Sequence, residues 1–336
     1  MIEFKNQIIE KIKNLPGPIL IFGAGGFVGI NLLTALLAYR KDVFGVSQDH
    51  FNNWRFIANK IPFENLRSCD LNQSQQTRNI IREIKPKTVF NLAAYGAYSK
   101  QDEYEKIYRT NFIGSVDLIE ILKEEGFSSY IQAGSSSEYG LNSAAPDEVA
   151  ELIPNSHYAV SKTAVYHAIK YYGKIEKLPV AHLRLYSVYG PWEEPDRLIP
   201  VMINHALHGK YPALVHPEIS RDFIHIQDVI HSFIEIADSL QPKFFGEVFN
   251  IGSGKKTTIS ELVISLKKLC KLEIEPEFGQ MQDRKWDLKD WFANPEKAKN
   301  LLNWKAEIDL ESGLQSVIDW QKEIDFNNAF WNWKRL

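Results

Sequence analysis

Tyr158 and Lys162, in the pentapeptide YAVSK, stand four residues apart. On a helix that spacing puts both side chains on one face. A free phenol, with a pKa of about 10, is a poor base at neutral pH, and an ammonium beside it favours the phenolate. The pair therefore predicts a proton-transfer centre, with the lysine also able to hydrogen-bond a ribose and so couple proton movement to hydride movement. The same spacing recurs at Tyr166 and Lys170. Spacing alone does not choose between the two pairs.

Hydride movement needs a carrier, and the beginning of the chain has a place for one. The apolar run ILIF at 19–22 leads directly into GAGGFVG, where Gly23, Gly26 and Gly29 form GxxGxxG, and an apolar, helix-forming stretch follows at 30–37. Glycines between a strand and a helix let backbone amides at the helix N-terminus cradle a pyrophosphate. Gly23 permits the tight turn, Gly26 the approach of the phosphates and Gly29 close packing of the helix, with Phe27 and Val28 in the same turn. An acidic residue roughly 20 positions on usually takes the ribose hydroxyls of NAD. Here Ser47 holds that place, followed by Gln48, Asp49 and His50. Asp49 could still reach the ribose, and Ser47 with Arg55 could instead accommodate the 2′-phosphate of NADP, so both cofactors stay open. Asp70, with Leu71 in the turn after the third predicted strand, reads either as an adenine contact or as a plain turn residue.

These side chains need a scaffold. Short β-branched runs at 19–22, 43–46, 88–92 and 130–132 alternate with helix-like segments, which predicts βαβ units and a parallel sheet. Further strands are expected at 180–183 and 247–250. Prolines at 191, 195, 200, 212 and 217 predict a less regular insertion after the sixth strand. The expected fold is α/β, a Rossmann-type doubly wound parallel sheet with a smaller C-terminal substrate-binding lobe. Residues 1–178 form the dinucleotide unit, with 220–252 returning to it, and 179–336 form the interleaved lobe. Trp286, Trp291, Trp304, Trp320, Trp331 and Trp333 crowd the C-terminal part and are assigned to packing of that lobe.

With 336 residues, 44% hydrophobic and 24% charged, the chain is long enough for a large core and an appended lobe. A net charge of -3 gives no electrostatic reason to expect nucleic acid or a membrane surface as partner. Cys69 and Cys270 lack any metal-ligand spacing and fit a reducing, cytoplasmic setting. The first 18 residues read as a short amphipathic helix and not as a signal peptide.

Taken in order, the motifs resemble those of the extended short-chain dehydrogenase/reductases that act on nucleotide sugars. GAGGFVG resembles the cofactor loop, and NLAAYGA from Asn91, containing Leu92, Ala93 and Ala94, the segment that walls the nicotinamide. Asn111 with Gly114 resembles the family's NxxG, GSSSEYG from Gly134 its serine motif, and YAVSK its active-site helix. RLYSVYGP from Arg184 and RDFIHIQD from Arg221 resemble segments that lead into and line the sugar-nucleotide pocket. The resemblance selects Tyr158 over Tyr166. It implies Ser135 as the hydroxyl that bonds the reacting oxygen, with Ser136 the near alternative. For the nucleotide diphosphate sugar it implies contacts from Ser136, Ser187, Arg221 and Arg284, and it makes His225 structural. No metal is implied. A homodimer paired through helices near 102–123 and 158–172 is also implied.

The resemblance implies hydride exchange at sugar carbon four. Family dehydratases carry acidic residues in the serine motif, where this chain has Ser136 and Ser137, and Glu138 falls one position late. The expected activity is therefore a 4-epimerase or 4-keto-sugar reductase. A 4,6-dehydratase or decarboxylase and a non-catalytic dinucleotide sensor are the alternatives.

Overall fold

Strand β1 (Ile19–Phe22) is apolar and buried at every position, as a strand covered on both faces must be. Its alternating side chains divide between two cores, Ile19 and Ile21 in one, Leu20 and Phe22 in the other. The structure is a computed structural model that describes residues 4–98, 101–281 and 288–324. The following strands are β2 (Val43–Ser47), β3 (Leu66–Ser68), β4 (Thr88–Asn91), β5 (Ser129–Ser135), β6 (Val180–Leu185) and β7 (Ser187–Tyr189). After them come β8 (Ser220–Arg221), β9 (Phe223–His225), β10 (Glu247–Ile251) and β11 (Thr257–Thr258). A seven-stranded sheet runs in the order β10-β6-β5-β4-β1-β2-β3. All its pairings are parallel. Helices cover both faces, so this is the doubly wound Rossmann-type sheet that the alternating pattern predicts.

One face is packed by α1 (Asn6–Asn14), α2 (Phe27–Leu37) and the later helix Ile226–Ser239. α1 is the amphipathic N-terminal helix, and it buries Ile8 and Ile12. A short helix α3 (Trp54–Ala58) follows β2. The opposite face is packed by α4 (Ser74–Ile84), then α5 (Tyr104–Tyr108) leading into α6 (Gly114–Glu125), and α7 (His157–Lys174). A third core belongs to the lobe. It joins α8 (Leu198–Leu207), α10 (Ile259–Cys270) and α12 (Leu310–Glu323), whereas α9 (Ile226–Ser239), the helix already placed on the first face, and α11 (Glu296–Leu302) pack into the first core.

Two details of strand pairing bear on how the chain divides. The boundary at 178 cuts ahead of β6, which is an interior strand paired along its length with β5 and β10. Within 220–252, α9 and β10 return to the sheet, whereas β8 and β9 pair with β11 and β7 in small sheets of their own. Trp304 is fully buried beneath the first face, with its indole N–H donated to Asp228 O at 3.2 Å. Trp320 stacks edge-on against Trp192. Trp286, Trp331 and Trp333 lie outside the described residues.

Candidate active site

At the carboxyl end of β1 the chain turns toward β2 on one side while β4 lies on the other, which makes this the switch point of the sheet, where ligands of such folds sit. Gly23 has φ +76, and a side-chain carbon there would lie 2.6 Å from Ala93 N and 2.8 Å from Leu92 O. At Gly29 one would lie 2.1 Å from Gly23 O. Gly26 is the N-cap of α2 and brings no side chain to cap it. The ladder begins with Ile30 N to Gly26 O, so the first-turn amides of Phe27, Val28 and Gly29 precede it. An uncapped helix start, flanked by glycines with no room for a side chain, fits a dinucleotide pyrophosphate. The sequence reading missed Gly25, where a side-chain carbon would meet Asn53 Nδ2 at 2.3 Å and Ser47 Oγ at 2.8 Å. Only the fold brings β2 and α3 against it.

At the adenosine end, the Arg55 option fails. Arg55 is 3% exposed, and its guanidinium donates to Trp192 O at 2.8 Å, Gly25 O at 3.2 Å and Glu194 Oε1 at 3.0 Å. It also lies 4.6 Å over the Trp54 ring. A guanidinium so committed has no fork left for a 2′-phosphate. Asp49 is turned into its own loop, accepting from Phe51 N at 3.0 Å, Asn52 N at 3.1 Å and Asn52 Nδ2 at 2.9 Å. Ser47 closes β2 beside Gly25. Asp70 accepts from Asn72 N at 3.0 Å and Asn72 Nδ2 at 2.9 Å, a local turn, while Leu71 is buried in the second core.

The proton-transfer group forms where β5 ends. Ser135 is the N-cap of the 3-10 turn Ser136–Tyr139, and its Oγ accepts from Ser137 N at 3.1 Å. Ser135 also faces Tyr158 closely enough to favour its phenolate. Tyr158 stands in the first turn of α7, which Ser156 caps through Ala159 N at 3.1 Å. Lys162, one turn on, is 2% exposed, donates to Ala133 O at 2.9 Å and lies 5.8 Å from the Tyr158 ring centroid. Burial pushes the Tyr158 phenol up to about 12, with the Ser135 hydrogen bond pulling against it. Burial pushes the Lys162 ammonium down to about 8. Tyr166 is instead stacked 4.4 Å from the Arg184 guanidinium, and Lys170 is exposed. The two YxxxK pairs thus occupy different surroundings.

The loop after β4, carrying Leu92, Ala93 and Ala94, is pinned to this group by Asn111. Its carboxamide accepts from Tyr95 N at 2.8 Å and donates to Tyr95 O at 2.8 Å and to Ser161 Oγ at 2.9 Å. Asn111 stands in a π-helical turn, Arg109–Ile113, a local widening that recurs at functional sites.

On the lobe side, Trp291 donates its indole N–H to Ser136 Oγ at 3.0 Å, and Arg221 lies 5.2 Å over the Trp291 ring. Arg221 also donates to Ser220 O at 2.8 Å. The assignment of Trp291 to packing alone therefore omits a polar contact beside the serine motif. Ser187 opens β7, its amide bonded to Asp222 O at 3.0 Å. Arg284 lies outside the described residues. His225 caps α9 through Gln227 N at 3.3 Å, and burial pushes its imidazole down to about 4.

The proline-rich loop 191–197 brings charged groups that the sequence reading did not single out. Arg197 influences Tyr158 electrostatically, lies 5.4 Å from the Tyr98 ring and is 3.8 Å from Glu193 Oε1. Glu193 is 5% exposed, its Oε2 has no hydrogen-bond partner, and burial pushes its carboxyl up to about 8.

Residues 19–252 match the model of the NAD dependent epimerase/dehydratase family. The chain belongs to that family. It is 30% identical over 329 residues to UDP-glucuronate 4-epimerase 1 of Arabidopsis thaliana, covering 90% of this chain and 76% of that protein. It is 29% identical to UDP-glucuronate 4-epimerase of Thermodesulfobacterium geofontis, over 91% of this chain and 97% of the relative. The crystal structure of UDP-glucuronic acid 4-epimerase from Bacillus cereus, in complex with UDP-glucuronic acid and NAD, is 25% identical with a TM-score of 0.79, over 91% of this chain and 99% of that one.

Proposed function

We propose that this protein is an NAD-dependent nucleotide-sugar 4-epimerase, with a uridine diphosphate sugar as substrate. The observation that carries the reading is the grouping of half-buried Ser135 and Tyr158 with buried Lys162 at the sheet's carboxyl end, beside the uncapped glycine turn and with no free carboxylate in the serine motif. Membership of the NAD dependent family and the 4-epimerase relatives supply the substrate class and the reaction. The commitment of Arg55 to Trp192, Gly25 and Glu194 favours NAD over NADP.

The turn with Gly23, Gly25, Gly26, Phe27, Val28 and Gly29 would hold the pyrophosphate of NAD. Ser47, Asp70 and Leu71 would flank the adenosine, and Leu92, Ala93 and Ala94 the nicotinamide. Bound NAD supplies reversible hydride acceptance at sugar carbon four. Tyr158 takes the proton of the 4-hydroxyl as that carbon is oxidised, and returns it to the same oxygen when the carbon is reduced from its other face. Ser135 holds the reacting oxygen against Tyr158, and the Lys162 ammonium favours the phenolate. Ser136, Ser187, Arg221 and Arg284 are assigned to the sugar nucleotide, with Arg221 offering a guanidinium to the diphosphate. In this division the sheet, including β6 and β10, serves the dinucleotide, and the segments around the third core serve the sugar.

A second copy of the chain would pair along α5, α6 and α7, where Tyr104, Ile113, Val160, Tyr171 and Ile175 are exposed. The free cysteines, Cys69 and Cys270, are compatible with a reducing cytoplasm.

The test is incubation with UDP-glucuronic acid and UDP-glucose, separation of the C4 epimers, and identification of the dinucleotide released on denaturation. Retained NAD and an epimer of unchanged mass are expected. A product lighter by water or carbon dioxide would overturn the epimerase reading, and net consumption of added NADPH would make the protein a reductase.

A further inference from the structure

The serine motif carries a carboxylate that the reaction above does not use. Glu138 is fully buried, although the turn that holds it opens on the site. Its Oε1 accepts from Ser135 N at 2.9 Å and faces His182 Nε2 at 2.8 Å, while Oε2 accepts from Arg184 Nε at 2.7 Å. His182 and Arg184 come from β6, the neighbour of β5, two positions apart and therefore on one face of the sheet. Gly134 makes the approach possible: a side-chain carbon there would lie 2.1 Å from His182 Nε2 and 2.6 Å from Glu138 Oε1.

We propose that Glu138 is a positioning residue for the proton-transfer group: through Ser135 N it fixes the end of β5, whose Ala133 O holds Lys162 and whose Ser135 side chain serves Tyr158. The inference rests on the epimerase reading for its consequence in turnover. Burial works against the Glu138 charge, but His182 and Arg184 more than offset it and hold the carboxyl at about 2. Burial also pushes His182 below its usual range while its Nε2 faces the carboxylate, and Arg184 is the permanent counter-ion. Arg184 is further held by the Tyr139 hydroxyl at 2.8 Å and lies under the Tyr166 ring, with Glu148 O at 3.4 Å. The charged or titratable groups around the site are thus Glu138, His182, Arg184, Tyr139, Tyr166, Glu148, Lys162, Tyr158 and Arg197. Of these, Glu138 is the charge that raises Lys162 against its burial, and it raises Tyr158 as well.

The experiment is Glu138→Gln in the full chain, with the ε-carbon of isotope-labelled lysine followed by NMR against pH and the Lys162 signal assigned through Lys162→Met. Burial should place the parent's midpoint near 8. Loss of the opposite charge should lower that midpoint by about one unit. The rise of epimerase turnover with pH should move in the same, acid, direction, because Glu138 raises Tyr158 too. A folded variant with an unmoved Lys162 midpoint overturns the proposal. Should Glu138→Gln fail to fold because Arg184 is left unpaired, Glu138→Asp keeps the charge and the Arg184 pair but withdraws the carboxylate from Ser135 N. Lower turnover with a parent-like Lys162 midpoint is expected of it, and parent-like turnover overturns the proposal. An inactive parent would refute the epimerase reading, and the lysine titration would still decide the role of Glu138.

Discussion

Ser135→Ala removes a hydroxyl that has two partners. One is the Ser137 amide, accepted at 3.1 Å as the cap of the turn Ser136–Tyr139. The other is the Tyr158 hydroxyl, whose ionisation Ser135 eases by favouring the phenolate, against the burial that pushes it up to about 12. A hydrogen bond to a charged group is worth about 1.5–3 kcal/mol. At a fixed pH, turnover should therefore fall by about 10- to 150-fold, at about 1.4 kcal/mol per tenfold. The sign follows from the chemistry: with the phenolate less stable, Tyr158 ionises at higher pH, and the rise of turnover with pH moves alkaline by about one to two units. Stability should drop by a further 0.5–2 kcal/mol, roughly the value of a serine cap. The assay is chromatographic separation of the C4 epimers from neutral to alkaline pH, with denaturant melts alongside and Ser135→Thr as the hydroxyl-bearing control. A folded Ser135→Ala protein with the parent's turnover and pH profile would refute the role given to Ser135.

Two other predictions concern binding and stability. Gly29→Ala places a methyl 2.1 Å from Gly23 O; overpacking of this kind costs about 1–3 kcal/mol, so the purified variant should retain NAD about 5- to 150-fold less tightly, and stoichiometric NAD in it would contradict the phosphate cradle. Glu193 is raised by burial from 4.5 to about 8, so the folded state keeps a proton that the unfolded chain releases in that window. The contribution of Glu193 to stability is fully present below 4.5 and is lost as pH rises to about 8. Glu193→Gln should remove that loss, about 3–5 kcal/mol across the window, and equal pH slopes for the two proteins in denaturant melts would refute it.

Local pattern carried much of this protein. The β-branched runs and the glycine turn at 23–29 predict a parallel sheet with a helix start aimed at phosphate, because pleat, helix period and glycine's backbone freedom act over a few residues. YAVSK likewise puts Tyr158 and Lys162 on one helix face from spacing alone. What spacing could not decide was which of two identical pairs faces Ser135. That depends on α7 lying beside the end of β5, with Tyr166 drawn off to Arg184. Arg55 reads in sequence as a basic residue open to a phosphate. In the fold it is buried against Trp192, Gly25 and Glu194, because loops some 30 to 140 positions apart converge on it. Trp291 looks like bulk in a tryptophan-rich segment until the lobe sets its indole against Ser136, 155 residues away. Glu138 appears one position out of place for chemistry in the serine motif. The parallel pairing of β5 with β6 gives it His182 and Arg184 as partners, a neighbourhood that exists only once strands distant in sequence share a sheet.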